Sequence, residues 1–191
     1  MSKQLKEHIG KFTNIKENDL VQILKYFKNV SYGKKENLMV EGQICKYHFF
    51  VLKGCLRKFY INDHGVEQTT EFAIENWWIT DHMAFERQRK TDFYIQAVEK
   101  TDLLMIDFKS QENLLNEYPQ MERYFRFIYQ RGFAALQMHL KHFSNFSKEE
   151  IYHMFAKVQP EFVKRVPQYL LASFLGFTPE YLSEIRAKKR S

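Results

Sequence analysis

VPQYLLASFLGFTPEYLSEIRAKKRS, residues 166–191, reads as two short helices joined by one tight turn. Apolar side chains at Leu170, Leu171, Phe174 and Leu175 make a one-sided stripe, and the small Ala172 leaves room for a second helix to cross closely. Gly176, just past the last periodic residue, supplies the left-handed backbone of a helix C-cap. Thr178 then offers an N-cap hydroxyl, and Pro179 a φ already set for a first helical turn. In the second helix Leu182 and Ile185 pack inward, which leaves Glu180, Tyr181, Ser183, Glu184 and Arg186 on outward faces. Lys188, Lys189 and Arg190 finish it with positive charge. The arrangement is a helix-turn-helix, although an αα-hairpin with a glycine turn is also ordinary packing in helical proteins.

Upstream, Ser147-Lys-Glu-Glu150 is a capping-box pattern that starts a helix through about Val158, and Phe162 to Val166 leads through Pro167 into the hairpin. Pro119 opens a longer helix to about Phe143 whose apolar residues cover more than one face. One side is expected on a sheet and another on a partner helix, so Met121, Phe125, Ile128, Gly132, Ala135 and Leu136 are the expected face of a homodimer. Lys109 to Glu117 reads as a short helix. From Ser31 to about Phe108 the chain breaks into short runs of Val, Ile, Phe, Tyr and Thr between glycine turns. The clearest hairpin pairs Leu56–Ile61 with Val66–Phe72 across Asn62–Gly65, and further strands are expected at Phe93–Val98 and Leu103–Ile106. Short strands without intervening helices imply an antiparallel sandwich or barrel. Lys3 to Val30 reads as helical, with Asn18 as an N-cap before Leu20.

With 191 residues, 45% of them hydrophobic, the chain can bury a core. No run of about 18 apolar residues occurs and the amino terminus lacks a signal-peptide core, so a cytoplasmic protein without membrane association is expected. The net charge of +6 is uneven: residues 1–118 hold 17 basic against 17 acidic side chains, residues 119–144 hold 4 against 1, and residues 145–191 hold 8 against 5. The whole excess lies where a polyanion such as double-stranded DNA would be met. Cys45 and Cys55 form no CxxC pair and read as buried thiols, too few for an iron-sulfur cluster within one chain. The seven histidines make no HxH or HExxH pattern, and His139 and His142 share a helical face without a carboxylate partner, so no metal and no cofactor is expected. No phosphate loop, nucleophile elbow or catalytic Cys/His pairing occurs, and an enzyme is not expected. Two other readings remain: a cupin-like metal enzyme, or a ligand-binding protein whose helical hairpin contacts another protein.

A strand-rich first half, a long connecting helix and a terminal helix-turn-helix together resemble the cyclic-AMP receptor protein and fumarate-nitrate regulator (CRP/FNR) family of transcription factors. The resemblance is carried by LKGCLRKFYINDHGVEQTTEF and by RVPQYLLASFLGFTPEYLSEIRAKK, with Ala172, Gly176, Thr178 and Leu182 as framework. It implies an α+β fold: an antiparallel, jelly-roll-like β-roll with flanking helices over 1–118, a dimerisation helix over 119–144, and a winged-helix-like DNA-binding domain over 145–191. Any wing must be short and near Phe162–Val166. Glu180, Ser183 and Arg186 would read bases, while Tyr169, Thr178, Lys188, Lys189 and Arg190 hold the DNA backbone. RNA polymerase and an unknown small-molecule effector complete the implied partners. The family's phosphate-binding cassette carries a Gly-Glu pair and an Arg-Ser pair; here Thr80-Asp81 and Thr91-Asp92 stand in those places, so cyclic AMP is not the expected effector. The expected effector pocket is Trp78, Asp81, Phe85, Thr91 and Asp92, with Arg87, Arg89 or Lys90 as substitute cations. Trp77, Trp78, Phe85 and Phe93 fit either a filled aromatic interior or an apolar ligand.

Overall fold

The computed structural model describes residues 2–188. Its fold is α+β. Helices α1 (Ser2–Gly10) and α2 (Glu17–Ile23) and a 3-10 turn (Leu24–Tyr26) precede strands β1 (Lys28–Tyr32), β2 (Asn37–Met39), β3 (Tyr47–Lys53), β4 (Leu56–Ile61), β5 (Glu67–Ala73) and β6 (Trp78–Ile79). Helix α3 (His82–Glu86), strands β7 (Tyr94–Ala97) and β8 (Thr101–Asp107), and helices α4 (Phe108–Glu117), α5 (Gln120–Asn145), α6 (Lys148–Val158), α7 (Pro160–Arg165), α8 (Gln168–Phe174) and α9 (Pro179–Lys188) follow. By internal contacts the chain divides into two compact units. The first holds the residues up to Tyr60 together with Glu71–Arg131; the second holds Ile61–Thr70 together with the chain from Gly132 onward. The division therefore falls inside α5, and the far end of the β4–β5 hairpin belongs with the later helices.

Two four-stranded sheets, ordered β1-β8-β3-β6 and β2-β7-β4-β5, form the strand region. Their facing sides bury Met39, Phe49, Val51, Leu56, Ile79, Ile95 and Leu103. The first sheet is also covered on its outer side: Phe50, Leu52, Trp78, Leu104 and Ile106 pack with Leu5, Ile9, Leu20, Ile23 and Leu114 from the helices. This explains the near-continuous apolar run of β3, YHFFVLK, since alternate residues face two cores rather than one core and solvent.

Four expectations are corrected. Lys28–Val30 is not helical, because Phe27 turns extended (φ −103, ψ 140) and β1 pairs with β8 from Lys28↔Met105 to Tyr32↔Thr101. Asn18 is not an N-cap but lies inside α2, whose cap residue is Lys16. The segment Phe162–Val166 makes no wing; α7 runs to Arg165, with Pro160 set in its first turn. Met121 and Phe125 are 0% and 2% exposed within the first unit's own core, so they offer nothing to a partner chain. The capping box is present in full: Ser147 Oγ accepts from Glu150 N, and the Glu150 carboxylate accepts from Ser147 N.

One polar chain crosses the outer core. The Trp78 Nε1–H donates to the Tyr124 hydroxyl oxygen at 2.8 Å, and that hydroxyl lies 2.8 Å from His8 Nδ1 in a second hydrogen bond. Burial, with Lys11 and Arg131 nearby, pulls the His8 imidazole down to about 4, and burial also holds His48 well below an ordinary histidine. An unfolded histidine takes up its proton near 6.5. Between these values the unfolded chain binds more protons than the folded one, so the contribution is complete above about 6.5 and is lost as the pH falls toward 4. Thermal melts of the first unit should drop steadily over that range, and His8→Gln, which keeps an acceptor for Tyr124, should flatten the slope.

Candidate functional site

The second unit builds the helix-turn-helix from side chains that the sequence already marks. Leu170, Leu171, Ala172, Leu175, Phe177, Leu182 and Ile185 are all buried, which fixes α9 across α8. Phe177 N donates to Ala172 O at 2.8 Å, closing the turn after α8. Gly176 sits at φ +68, and a Cβ there would lie 3.1 Å from Phe143 Cε1 on α5. Two separate features thus favour glycine: the left-handed backbone and the close approach of an aromatic ring. Thr178 Oγ1 accepts from Tyr181 N at 3.3 Å, as an N-cap should.

With Leu182 and Ile185 turned inward, Glu180 and Ser183 are exposed and Arg186 half-buried on the outer side of α9. Tyr169 is exposed at the start of α8, and Thr178 is exposed in the turn. Lys188 closes α9, while Lys189 and Arg190 lie outside the described residues. The basic excess is shared between the two units. Three of the four cations in residues 119–144 belong to the first unit, where Arg123 and Arg126 stack near Phe127 and Arg131 lies over Phe12.

Sequence reasoning missed Ser173. Its hydroxyl donates to Glu67 O at 2.8 Å and accepts from Thr69 N at 2.9 Å, and Gln68 Nε2 donates to Ser173 O. The helix-turn-helix is thereby sewn to the first residues of β5 inside the second unit. No local signal in the sequence marks this pairing across about a hundred residues. His139 is explained by packing: it stacks on Phe174 at 4.7 Å, and burial and His142 lower its pKa.

In the first unit the expected effector residues fall in different surroundings. Asp81 caps α3 through Ala84 N at 3.1 Å, and its other oxygen accepts from Thr91 Oγ1 at 2.8 Å. Phe85 is buried in the core between the sheets, Trp78 belongs to the outer core, and Asp92 is exposed. Arg87, Arg89 and Lys90 are exposed as well. The cation on the inner side is Lys58, two residues from the buried Leu56 on β4. Its ammonium meets the Glu71 carboxylate at 2.6 Å and Thr80 O at 3.1 Å. Among the described residues no three His, Cys, Asp or Glu side chains gather where they could hold a metal ion, and no helix is long and apolar enough to cross a membrane.

Residues 29–118 match the family model of the cyclic nucleotide-binding domain. A search of curated proteins finds no significant match. Among solved structures, FixK2 from Bradyrhizobium japonicum superposes with a TM-score of 0.70 at 17% identity, over 85% of this chain and 83% of that one. The c-di-GMP responsive global regulator CLP of Xanthomonas campestris gives 0.72 at 11% identity, over 92% of each chain. A CooA variant from Carboxydothermus hydrogenoformans gives 0.68 at 18%, over 94% and 86%. At these identities the likeness is one of fold.

Gly176→Ala should destabilise the second unit by about 1–2 kcal/mol, the cost of a left-handed non-glycine residue, with the Phe143 contact adding to it. Gly176→Asn should cost less, because asparagine tolerates that backbone better. Thermal or denaturant melts of the two variants check both magnitude and order.

Proposed function

We propose that this chain, whose residues 29–118 match the cyclic nucleotide-binding domain and whose fold is that of the CRP/FNR-type transcriptional regulators, is a homodimeric, sequence-specific DNA-binding regulator. The observation that carries this reading is the outer face of α9. Its inner residues are spent on α8, while Glu180, Ser183 and Arg186 advance by three positions along the side left open. A carboxylate can accept from cytosine, a hydroxyl can serve either way, and a guanidinium can take both major-groove acceptors of guanine. Tyr169, Thr178 and the basic end of α9 are assigned to the phosphates.

Dimerisation is assigned to α5, with a revised set of residues. Phe133, Leu136 and Leu140 are 62%, 51% and 58% exposed, and with the half-exposed Phe143 they recur at spacings of three and four. Such spacing supports the seam of a two-stranded coiled coil. Ile128 is partly buried against the first unit's core, whereas Gly132 and Ala135 are exposed beside the stripe. Binding rather than catalysis is the inferred activity. Within the roll, the capping and Thr91 bonds of Asp81 and the Lys58–Glu71 pair favour an effector other than cyclic AMP.

Two measurements test the proposal. In selections from a random duplex library, Arg186→Ala should relax preference at one position by about 1–3 kcal/mol. The wild-type affinity should fall linearly with salt on logarithmic axes. Unchanged selectivity would remove Arg186 from the base-reading set, and a salt-independent affinity would argue for a protein-binding hairpin. In sedimentation, Leu136→Glu and Leu140→Glu should each yield a folded species of half the wild-type mass; a wild type already monomeric would refute the seam.

A further inference from the structure

Helix α6 brings to the start of α9 a cation that the helix-turn-helix itself does not contain. Lys148 follows the Ser147 cap, and its ammonium lies 5.8 Å from the ring centre of Tyr181 and 6.0 Å from that of Phe177. The two rings meet edge to face at 5.9 Å. Phe177 is buried in the turn, whereas Tyr181 is half-buried on the flank of α9, between the inner Leu182 and the exposed Glu180. The exposed Thr178 caps the same first turn, its hydroxyl accepting from Tyr181 N at 3.3 Å. All of these residues belong to the second unit.

The charge of Lys148 is not spent within the protein. Its two acidic neighbours are engaged elsewhere: Glu149 faces His153 one turn on at 3.6 Å, and Glu150 accepts from the Ser147 amide and hydroxyl at 2.8 and 2.6 Å. Among the described residues the exposed Lys148 makes no ion pair, whereas Lys164 on α7 is bound to Glu161 at 2.8 Å. A ring face attracts an ammonium without neutralising it, so the two rings position the cation and leave its charge in place. Helix α9 lacks such a group near its start. Before Arg186 it carries Glu180 and Glu184 and no Lys or Arg, so a phosphate passing the Tyr181 flank meets two like charges from α9 itself.

We propose that Lys148 holds a phosphate of the DNA strand that runs past the Tyr181 flank while the outer face of α9 lies in the major groove. The inference rests on the DNA-binding reading above and adds a second element to it, since α6 as well as α9 then touches the duplex. A contact of this kind supplies affinity and register but carries no sequence information. It offsets the repulsion from Glu180 and Glu184, and it leaves those side chains and Ser183 free for the groove.

The test uses the full-length protein and the duplex that the wild type selects from a random library, with affinity measured across a range of salt concentrations. Each phosphate contact removed reduces the steepness of log K against log salt by about 0.9. Lys148→Gln is expected to reduce it by that amount for each bound chain, to weaken binding evenly across sequences, and to leave the melting temperature nearly unchanged. Lys148→Arg should keep the wild-type slope. Lys157→Gln makes the same charge change at the far end of α6, roughly 13 Å along its axis, and should leave the slope as it is. An unchanged slope in Lys148→Gln would overturn the proposal and leave Lys148 as a packing residue over two rings. Equal reductions in Lys148→Gln and Lys157→Gln would also overturn it, because the effect would then be one of net charge. A wild type that binds no duplex would instead sink the DNA-binding reading, and this inference with it, before any variant is compared.

Discussion

The β1-β8-β3-β6 sheet is buried on both faces, and most of the first unit follows from that. A strand with two cores cannot slip by one residue without exchanging Phe49 and Val51 for Phe50 and Leu52 in incompatible surroundings. Helices α1, α2, α4 and α5 are needed as a lid on the outer face, and only then are Trp78, Tyr124 and His8 dry enough to require one another. The relay is thus a consequence of double burial. Three polar groups from β6, α5 and α1 satisfy each other where water cannot.

What could be read in the sequence was local chemistry. The turn of the helix-turn-helix, the Ser147–Glu150 box and the hairpin turn at Asn62–Gly65 each depend on residues within a few positions, so composition alone specifies them. What could not be read depends on distant partners. Lys28–Val30 has no strong preference of its own and becomes a strand because β8 offers an edge. The apolar surface of α5 gives no indication of which part meets its own sheet; Met121 and Phe125 are taken by the first core, while Phe133 and Leu140, further along, are left open. Ser173 and Lys58 are invisible for the same reason, since each is defined by a partner on another element.

Asp81 and Thr91 tie the loop after α3 back to that helix. They stand ten residues apart in the chain, and a 2.8 Å hydrogen bond from the Thr91 hydroxyl to the Asp81 carboxylate joins them. A short helix capped by Asp81, packed through Ala84 and Phe85, converts that region into core. The strands on either side pair without help from this segment, so the two sheets and the capped helix are separately stabilised.

The assignment of Ile61–Thr70 to the second unit bears on how the chain can be made. As it is synthesised from the amino end, the hairpin segment emerges early, long before α8 and the Ser173 hydroxyl that binds it. The later helices accordingly complete themselves on a piece of backbone laid down by the earlier fold. A fragment beginning at Gly132 lacks the Glu67 carbonyl and the Thr69 amide, and its Ser173 must turn to water instead. The two units are compact in space but interleaved in order of appearance, and neither can be cut from the chain at a single peptide bond.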